Sequence, residues 1–229
     1  MNGLDLYAKI EYLFDFDDII NFLWDKYLDE LENLEVKSIL DIGCGSGGFM
    51  LKAKERGFDI VGIDISEEMI KQAKGKGLKV FHKNLCDFKG EFDACVAIFD
   101  VINYMEKEYL IDFLQCVKKV LKNEGYFLFD INTLYGFEEV AQGSLSVEDN
   151  SIFAVLNSIF EDNIMRTKIT IFEKEGFENC YKKEEGEIIQ YFYKNQELKK
   201  LTPLKFYEKI DISLYDGIDK NLLIFKKRV

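Results

Sequence analysis

Histidine occurs once in this 229-residue chain, no apolar run approaches the length of a bilayer, and positive charge is in short supply, with 30 Lys and Arg against 42 Asp and Glu. The lone His82, between a short apolar stretch and a loop, cannot build a histidine-rich metal site and suits a packed or partly exposed residue. The missing apolar run removes a membrane span. Met1-Asn2-Gly3-Leu4-Asp5 has no basic segment leading into an apolar one, so neither a signal peptide nor an anchor is expected, and a cytoplasmic location is. A formal charge of −12 leaves no basic face to track phosphates, which makes RNA or DNA a poor partner. The lysines at 71, 74, 76, 79, 182 and 183 are interleaved with glutamates and read as solvated surface. Five cysteines, odd in number and without a Cys-x-x-Cys pair, fit reduced thiols rather than a disulfide or zinc framework.

What the chain does have is Ser38-Ile39-Leu40-Asp41-Ile42-Gly43-Cys44-Gly45-Ser46-Gly47-Gly48-Phe49: an apolar strand, an acid, clustered glycines and a helix start. Glycines serve where the backbone takes positive φ or must approach a ligand with no Cβ in the way. Strand, glycine turn and helix form the first unit of a doubly wound sheet. Two ligand classes fit. Gly43, Gly45 and Gly48 match the Gly-x-Gly-x-x-Gly dinucleotide pattern, with Asp64 at the end of the next apolar strand in place of a ribose-binding acid. Asp41 shifts the balance, because an acid at the strand end repels a pyrophosphate and attracts a ligand carrying an ammonium group. The absence of any Tyr-x-x-x-Lys pair also counts against a nicotinamide oxidoreductase.

Leu40 to Phe49 resembles the first motif of class I S-adenosylmethionine-dependent methyltransferases. Gly62-Ile63-Asp64-Ile65-Ser66-Glu67-Glu68-Met69 is similar to the second, Asn84-Leu85-Cys86-Asp87 to the third, and Phe92 to Asp100 and Leu121 to Asp130 to the fourth and fifth strands. The resemblance covers residues 35 to 135. It implies S-adenosyl-L-methionine as cofactor, held by Tyr7, Asp41, Gly43, Cys44, Gly45, Asp64, Ile65, Met69, Leu85, Cys86, Asp87 and Phe99. In that pattern Asp64 takes both ribose hydroxyls, Ile65 packs on the adenine, and Asp87 accepts from the adenine amino group. Singly, Asp64 and Asp87 also suit a helix N-terminus and a loop, and Cys44 and Cys86 also suit packing.

The implied fold is α/β, a doubly wound Rossmann-like seven-stranded methyltransferase sheet with an inserted antiparallel β cap. Residues 1–143 form the cofactor domain, 144–193 the cap and 194–229 the last strands. An amphipathic helix over 16–28 precedes the first strand and places Trp24 in the core. Before it lies an aromatic leader whose Tyr7 and Tyr12 suit either a lid or simple packing. Three strands, at 151–160, 164–172 and 187–193, are expected in the cap.

The cap resembles that of small-molecule methyltransferases related to the glycine and sarcosine N-methyltransferases, with Asn103-Tyr104 and Phe129-Asp130-Ile131-Asn132-Thr133 carrying the likeness. Many members have a Glu-x-His-x-x-Arg-x-Tyr run there; Glu185 matches, whereas Glu187, Gln190 and Phe192 fill the other three places. The implied activity is methyl transfer to a small-molecule N, O or carboxylate nucleophile, by a monomer or homodimer without metal, nucleic acid or membrane partners. The departure in the cap run keeps a cofactor-binding protein without transferase activity as the alternative. Alignment and water exclusion carry such a displacement, with Asp100 and Tyr104 as catalytic candidates. Phe99, Tyr104 and Tyr7 offer aromatic walls, and Asp100 suits either an orienting role or a helix cap.

Overall fold

The computed structural model describes residues 3–14, 16–176 and 180–228. In chain order the elements are α1 (Gly3–Ile10), α2 (Asp17–Asn33), β1 (Ser38–Ile42), α3 (Gly48–Glu55), β2 (Asp59–Asp64), α4 (Glu67–Gly75), β3 (Val80–His82), β4 (Phe92–Ala97), α5 (Lys107–Val120) and β5 (Leu121–Asn132). They continue with β6 (Gly143–Glu148), β7 (Ile152–Glu161), β8 (Ile164–Glu175), β9 (Cys180–Tyr191), α6 (Asn195–Leu201), β10 (Lys205–Ile212) and β11 (Lys220–Lys226).

Helix α2 buries Leu23, Tyr27, Leu28 and Leu31, one stripe at helical spacing, and starts with Asp17 and Asp18 against its positive end. Helix α5 does the same with Leu110, Phe113, Leu114, Val117 and Val120. Strand β5 reads as a continuous apolar run because both of its faces are covered. Phe127 and Phe129 face α5 and α6, while Leu128 faces α2 and α3.

Seven strands form one sheet in the order β3-β2-β1-β4-β5-β11-β10. The first five run parallel, β11 lies antiparallel to β5, and β10 antiparallel to β11. The order reverses between β1 and β4, where an open α/β sheet leaves a crevice at the carboxyl ends of its strands. A separate antiparallel sheet, β6-β7-β8-β9, is the cap. It has four strands where the sequence indicates three; β6 is a mostly exposed, serine-containing edge strand with little apolar signal.

Helix α1 lies on the cap, with Leu6 and Ile10 against Ala154, Ile169, Ile171 and Ile188. A Cβ on Gly3 would stand 2.2 Å from the Glu187 carbonyl oxygen, so the helix approaches β9 closely only because that position is glycine. Phe137, Phe160 and Phe192 pack together where the cap joins the larger sheet. Among the described residues no helix is long and apolar enough to cross a membrane.

The structure corrects the reading of every thiol as reduced, because Cys86 and Cys116 form a disulfide. Cys86 lies in the 3-10 turn Leu85–Asp87 and Cys116 on α5, against which that turn packs; Asn84 Nδ2 also donates to Tyr109 Oη of α5 at 3.0 Å. Thirty residues separate the two cysteines, too far for a local spacing signature. Closing a loop of that length stabilises by about 3.6 kcal/mol in the chain-entropy account. Reduction with dithiothreitol, or Cys116→Ser, is expected to lower the urea midpoint accordingly. An unchanged midpoint on reduction would refute this contribution.

Candidate functional site

The glycine turn after β1 takes its shape from three left-handed glycines: Gly43 at φ 76°, Gly45 at 52° and Gly47 at 84°. The amides of Gly43 and Cys44 donate to the Ile63 carbonyl at 2.8 and 3.1 Å, tying the turn to β2. The third glycine of the motif is therefore Gly47 in conformation, not Gly48. Gly48 opens α3 with ordinary helical geometry, and it is small for another reason: a Cβ there would meet the Trp24 ring at 2.4 Å. Trp24 itself is half-buried rather than a core residue, set edge-on to Phe99 with 6.5 Å between ring centroids.

Asp41 is 2% exposed, and its carboxylate has no hydrogen-bond partner among the described residues. Burial, and then the nearby Asp64 charge, push its pKa up to about 8. Such a group gains from a cation or donor placed against it. Asp64 bridges two elements: one carboxylate oxygen accepts the Gly45 amide at 2.9 Å and the other the Ser66 amide at 2.8 Å. Ser66 in turn caps α4, accepting from the Met69 amide.

Beyond Asp64, Ile65 stands 70% exposed, Met69 is half-buried on α4, Leu85 is buried and Asp87 is exposed. His82 Nε2 lies 2.9 Å from the Ile65 carbonyl oxygen and fixes that loop against the end of β3. Two of the candidate side chains are committed elsewhere. The Cys44 thiol is buried, close enough to Gly62 that a Cβ there would lie 2.7 Å from its sulfur, and Cys86 is in the disulfide; their amides are spent as well, on the Ile63 carbonyl and on Asn84 Oδ1.

On the other side of the crevice, Phe99 and Asp100 follow β4 in consecutive left-handed conformations, φ 63° and 62°. This is unusual for residues with side chains. Their amides donate to one carboxylate, that of Asp130, at 2.8 and 3.2 Å, and Tyr27 Oη donates to it at 2.8 Å. Lys220, the first residue of β11, reaches the same place. Its Nζ donates to Asp100, to Asp130 at 3.0 Å and to Asn132 Oδ1 at 3.0 Å. The two carboxylates outweigh the cost of burial and hold the Lys220 ammonium well above the usual lysine range.

Three tyrosines from distant segments feel the Asp100 charge: Tyr7 of α1, Tyr104 after β4 and Tyr215 between β10 and β11. Burial first, then the Glu11 and Asp100 charges, raise the Tyr7 pKa to about 12; Tyr104 and Tyr215, which keep 37% and 44% of their surface exposed, are raised by crowding at the hydroxyl end and by the acids near them. None of the three hydroxyls hydrogen-bonds to another described residue. Tyr12, by contrast, is exposed and donates to Asp149 at 2.8 Å, so it fastens the leader to the cap rather than covering the crevice.

Glu185 and Glu187 lie on the cap face opposite α1, in ion pairs with Lys168, Lys183 and Arg166. Lys220, Asp130 and Tyr215 escaped the sequence reading of the site. The available signals were a charge opening the apolar run Leu222-Leu223-Ile224-Phe225 and an acid inside the apolar run of β5.

A methyltransferase-domain family model matches residues 39–125, from β1 to the start of the β5 apolar run. A protein of Bacillus subtilis (strain 168), YqeM, provisionally named a methyltransferase, is 36% identical over 126 residues, 51% of this chain and 51% of its own length. The chain thus spans about half the length of the curated relatives it matches. The fold extends further. A structure of an S-adenosylmethionine-dependent methyltransferase from Clostridium acetobutylicum ATCC 824 superposes with a TM-score of 0.80 at 21% identity, over 98% of this chain and 100% of that one. The sugar N-methyltransferase KedS8 from Streptoalloteichus sp ATCC 53650 gives 0.76 at 15% identity, over 99% and 93%. Residues 39–125 are thus similar to a methyltransferase domain, and the strand order and the whole-chain superpositions show the Rossmann-like fold of S-adenosylmethionine-dependent methyltransferases with an added antiparallel sheet.

Proposed function

We propose that this protein transfers the methyl group of S-adenosyl-L-methionine to a small-molecule nucleophile, with an amine favoured over a hydroxyl or a carboxylate. The observation that carries the cofactor half is Asp41, a buried and unpartnered carboxyl beside the glycine turn, which fits the ammonium of the methionine end. Asp64 has the position and free lone pairs to accept the ribose hydroxyls, Ile65 and Met69 to pack on the adenine, and Asp87 to accept from its amino group. When bound, S-adenosylmethionine supplies a methyl carbon made electrophilic by the sulfonium. The residues of the chain orient the acceptor and keep water out.

The electrostatics of the acceptor side favour an amine. Asp100 and Asp130 set two carboxyl groups against the single ammonium of Lys220; burial raises the Asp100 pKa, and Lys220, its ion-pair partner among the described residues, opposes that rise. A carboxylate nucleophile would meet net repulsion there. An amine N–H can donate to Asp100, which points the nitrogen lone pair away from the carboxylate, and the faces of Tyr7 and Tyr104 suit the positive charge that remains on the methylated nitrogen. The excess proton then leaves to water. The sugar N-methyltransferase KedS8, similar along nearly the whole fold, is consistent with this reading.

The test is calorimetry with S-adenosylhomocysteine followed by turnover on paired amines, alcohols and carboxylates of similar shape. Because Asp41 holds its proton up to about pH 8 in the free protein, seating an ammonium against it expels that proton. Affinity is therefore expected to rise with pH between 6 and 7.5, by up to about tenfold per unit, and to level off near pH 8. Buffers of different ionisation enthalpy should report proton release, and Asp41→Asn should flatten the slope. An affinity independent of pH would overturn the role of Asp41. Tight binding with no product from any acceptor would leave a cofactor-binding protein without transferase activity.

A further inference from the structure

Lys220 is 7% exposed and has no hydrogen-bonding reason to be a lysine other than the two carboxylates and the amide oxygen it touches. A buried ammonium is costly unless paired, so its retention at the start of an apolar strand calls for a task. The task lies one bond away. Asp130 holds the amides of Phe99 and Asp100, and those two residues form the left-handed turn between the cofactor side and the acceptor side of the crevice. Asp100 and Asp130 are like charges in a water-poor space, and without a cation between them one must take up a proton. Where the pH leaves both charged, their repulsion pushes the Asp100 carboxylate away from Asp130 and distorts the turn whose two amides Asp130 holds; protonation of one relieves it.

Resting on the methyltransferase reading above, we propose that Lys220 is a positioning residue whose ammonium, shared between Asp100 and Asp130, keeps both carboxylates charged and so holds the Phe99–Asp100 turn in the shape the site requires. It touches neither cofactor nor acceptor in this role. The groups facing the cluster are Tyr27 from α2, Asn132 from β5, Tyr104 after β4, Tyr7 from α1, and Tyr215 with Asp219 from the β10–β11 turn. Among them only the carboxylates and the lysine carry charge at neutral pH. Met in place of Lys220 would keep the volume of the stem and remove the charge, which makes the role separable from packing.

The experiment compares wild type, Lys220→Met, Asp100→Asn and the double variant for S-adenosylhomocysteine binding from pH 5.5 to 8.5, each at its ratio to wild type. Lys220→Met is expected to bind at least tenfold more weakly at pH 8.5, with the deficit shrinking below threefold at pH 5.5 as one carboxylate takes a proton. The double variant, which removes one charge of each sign, is expected to recover at least fivefold over Lys220→Met at pH 8.5 with no pH-dependent deficit. A deficit equal at every pH, or no recovery in the double variant, overturns the proposal. Should Lys220→Met fail to fold, a folded double variant supports the proposal and an unfolded one overturns it.

Carbon-13 titration of the aspartate carboxyls in ligand-free protein separates this proposal from the cofactor assignment. Across that range the wild-type pair should take up less proton than the pair in Lys220→Met. In Lys220→Met, or in its place Lys220→Gln, one proton should be taken up by the pair; if none is, the proposal fails. Failure of wild type to bind S-adenosylhomocysteine sinks the methyltransferase reading and leaves this carboxyl result standing.

Discussion

Asp64→Ala is expected to weaken S-adenosylhomocysteine binding at least tenfold while leaving a cooperatively folded protein. The carboxylate at the end of β2 is proposed to accept both ribose hydroxyls, and hydrogen bonds to a charged group contribute about 1.5 to 3 kcal/mol each. The structure adds a second cost. The same two oxygens accept the amides of Gly45 and Ser66, so truncation also frees the glycine turn from the start of α4. Losing preorganisation weakens binding beyond the ribose contacts themselves. Asp64→Asn, which keeps one acceptor oxygen, should fall between alanine and wild type. Asp87→Ala should cost less than Asp64→Ala, because Asp87 is exposed and the adenine edge keeps its backbone contacts. Calorimetry at one pH ranks the three variants. Unchanged affinity in Asp64→Ala would remove Asp64 from the site, and a larger loss in Asp87→Ala would reverse their order.

What could be read from the chain and what could not divides along sequence distance. The proposed cofactor side is local: Asp41, Gly43 and Gly45 fall within five residues, and Asp64 closes the next strand, so a linear pattern places them on one turn. Even there the pattern was ambiguous in detail. Three glycines at 45, 47 and 48 allow two spacings, and only backbone conformation shows that Gly47 takes the left-handed position while Gly48 makes room for Trp24. The proposed acceptor side is assembled from far apart. Asp100 and Lys220 are 120 residues from one another, and Tyr7 and Tyr215 arrive from opposite ends of the chain. No periodicity records such a meeting, because it is fixed by which strand lies beside β5. The disulfide and the edge strand β6 escaped for related reasons, one a non-local pairing and the other a strand that buries almost nothing.

Replacing residues 143–191 by a short Gly/Ser linker is expected to abolish methyl transfer while leaving S-adenosylhomocysteine affinity within about tenfold. The proposed adenosyl and methionine contacts between Asp41 and Asp100 belong to the seven-stranded sheet, whose strands pair without help from the cap. The acceptor side does depend on it. Leu6 and Ile10 bury themselves against cap residues, so removing the cap strips α1 of its seat and takes Tyr7 away from Asp100. Residues 1–14 should accordingly be deleted in the same variant, to avoid exposing that apolar stripe. With Asp100, Tyr104 and Lys220 still present, the lost rate would come from water entering the crevice and from an acceptor no longer held in line with the methyl group. Alignment of that kind can account for about 7 kcal/mol or more of a barrier. A cooperative thermal transition must first establish that the variant is folded. Full transfer activity in a folded capless protein would show that the second sheet and α1 serve something other than the acceptor, and would return Tyr7 to a packing role.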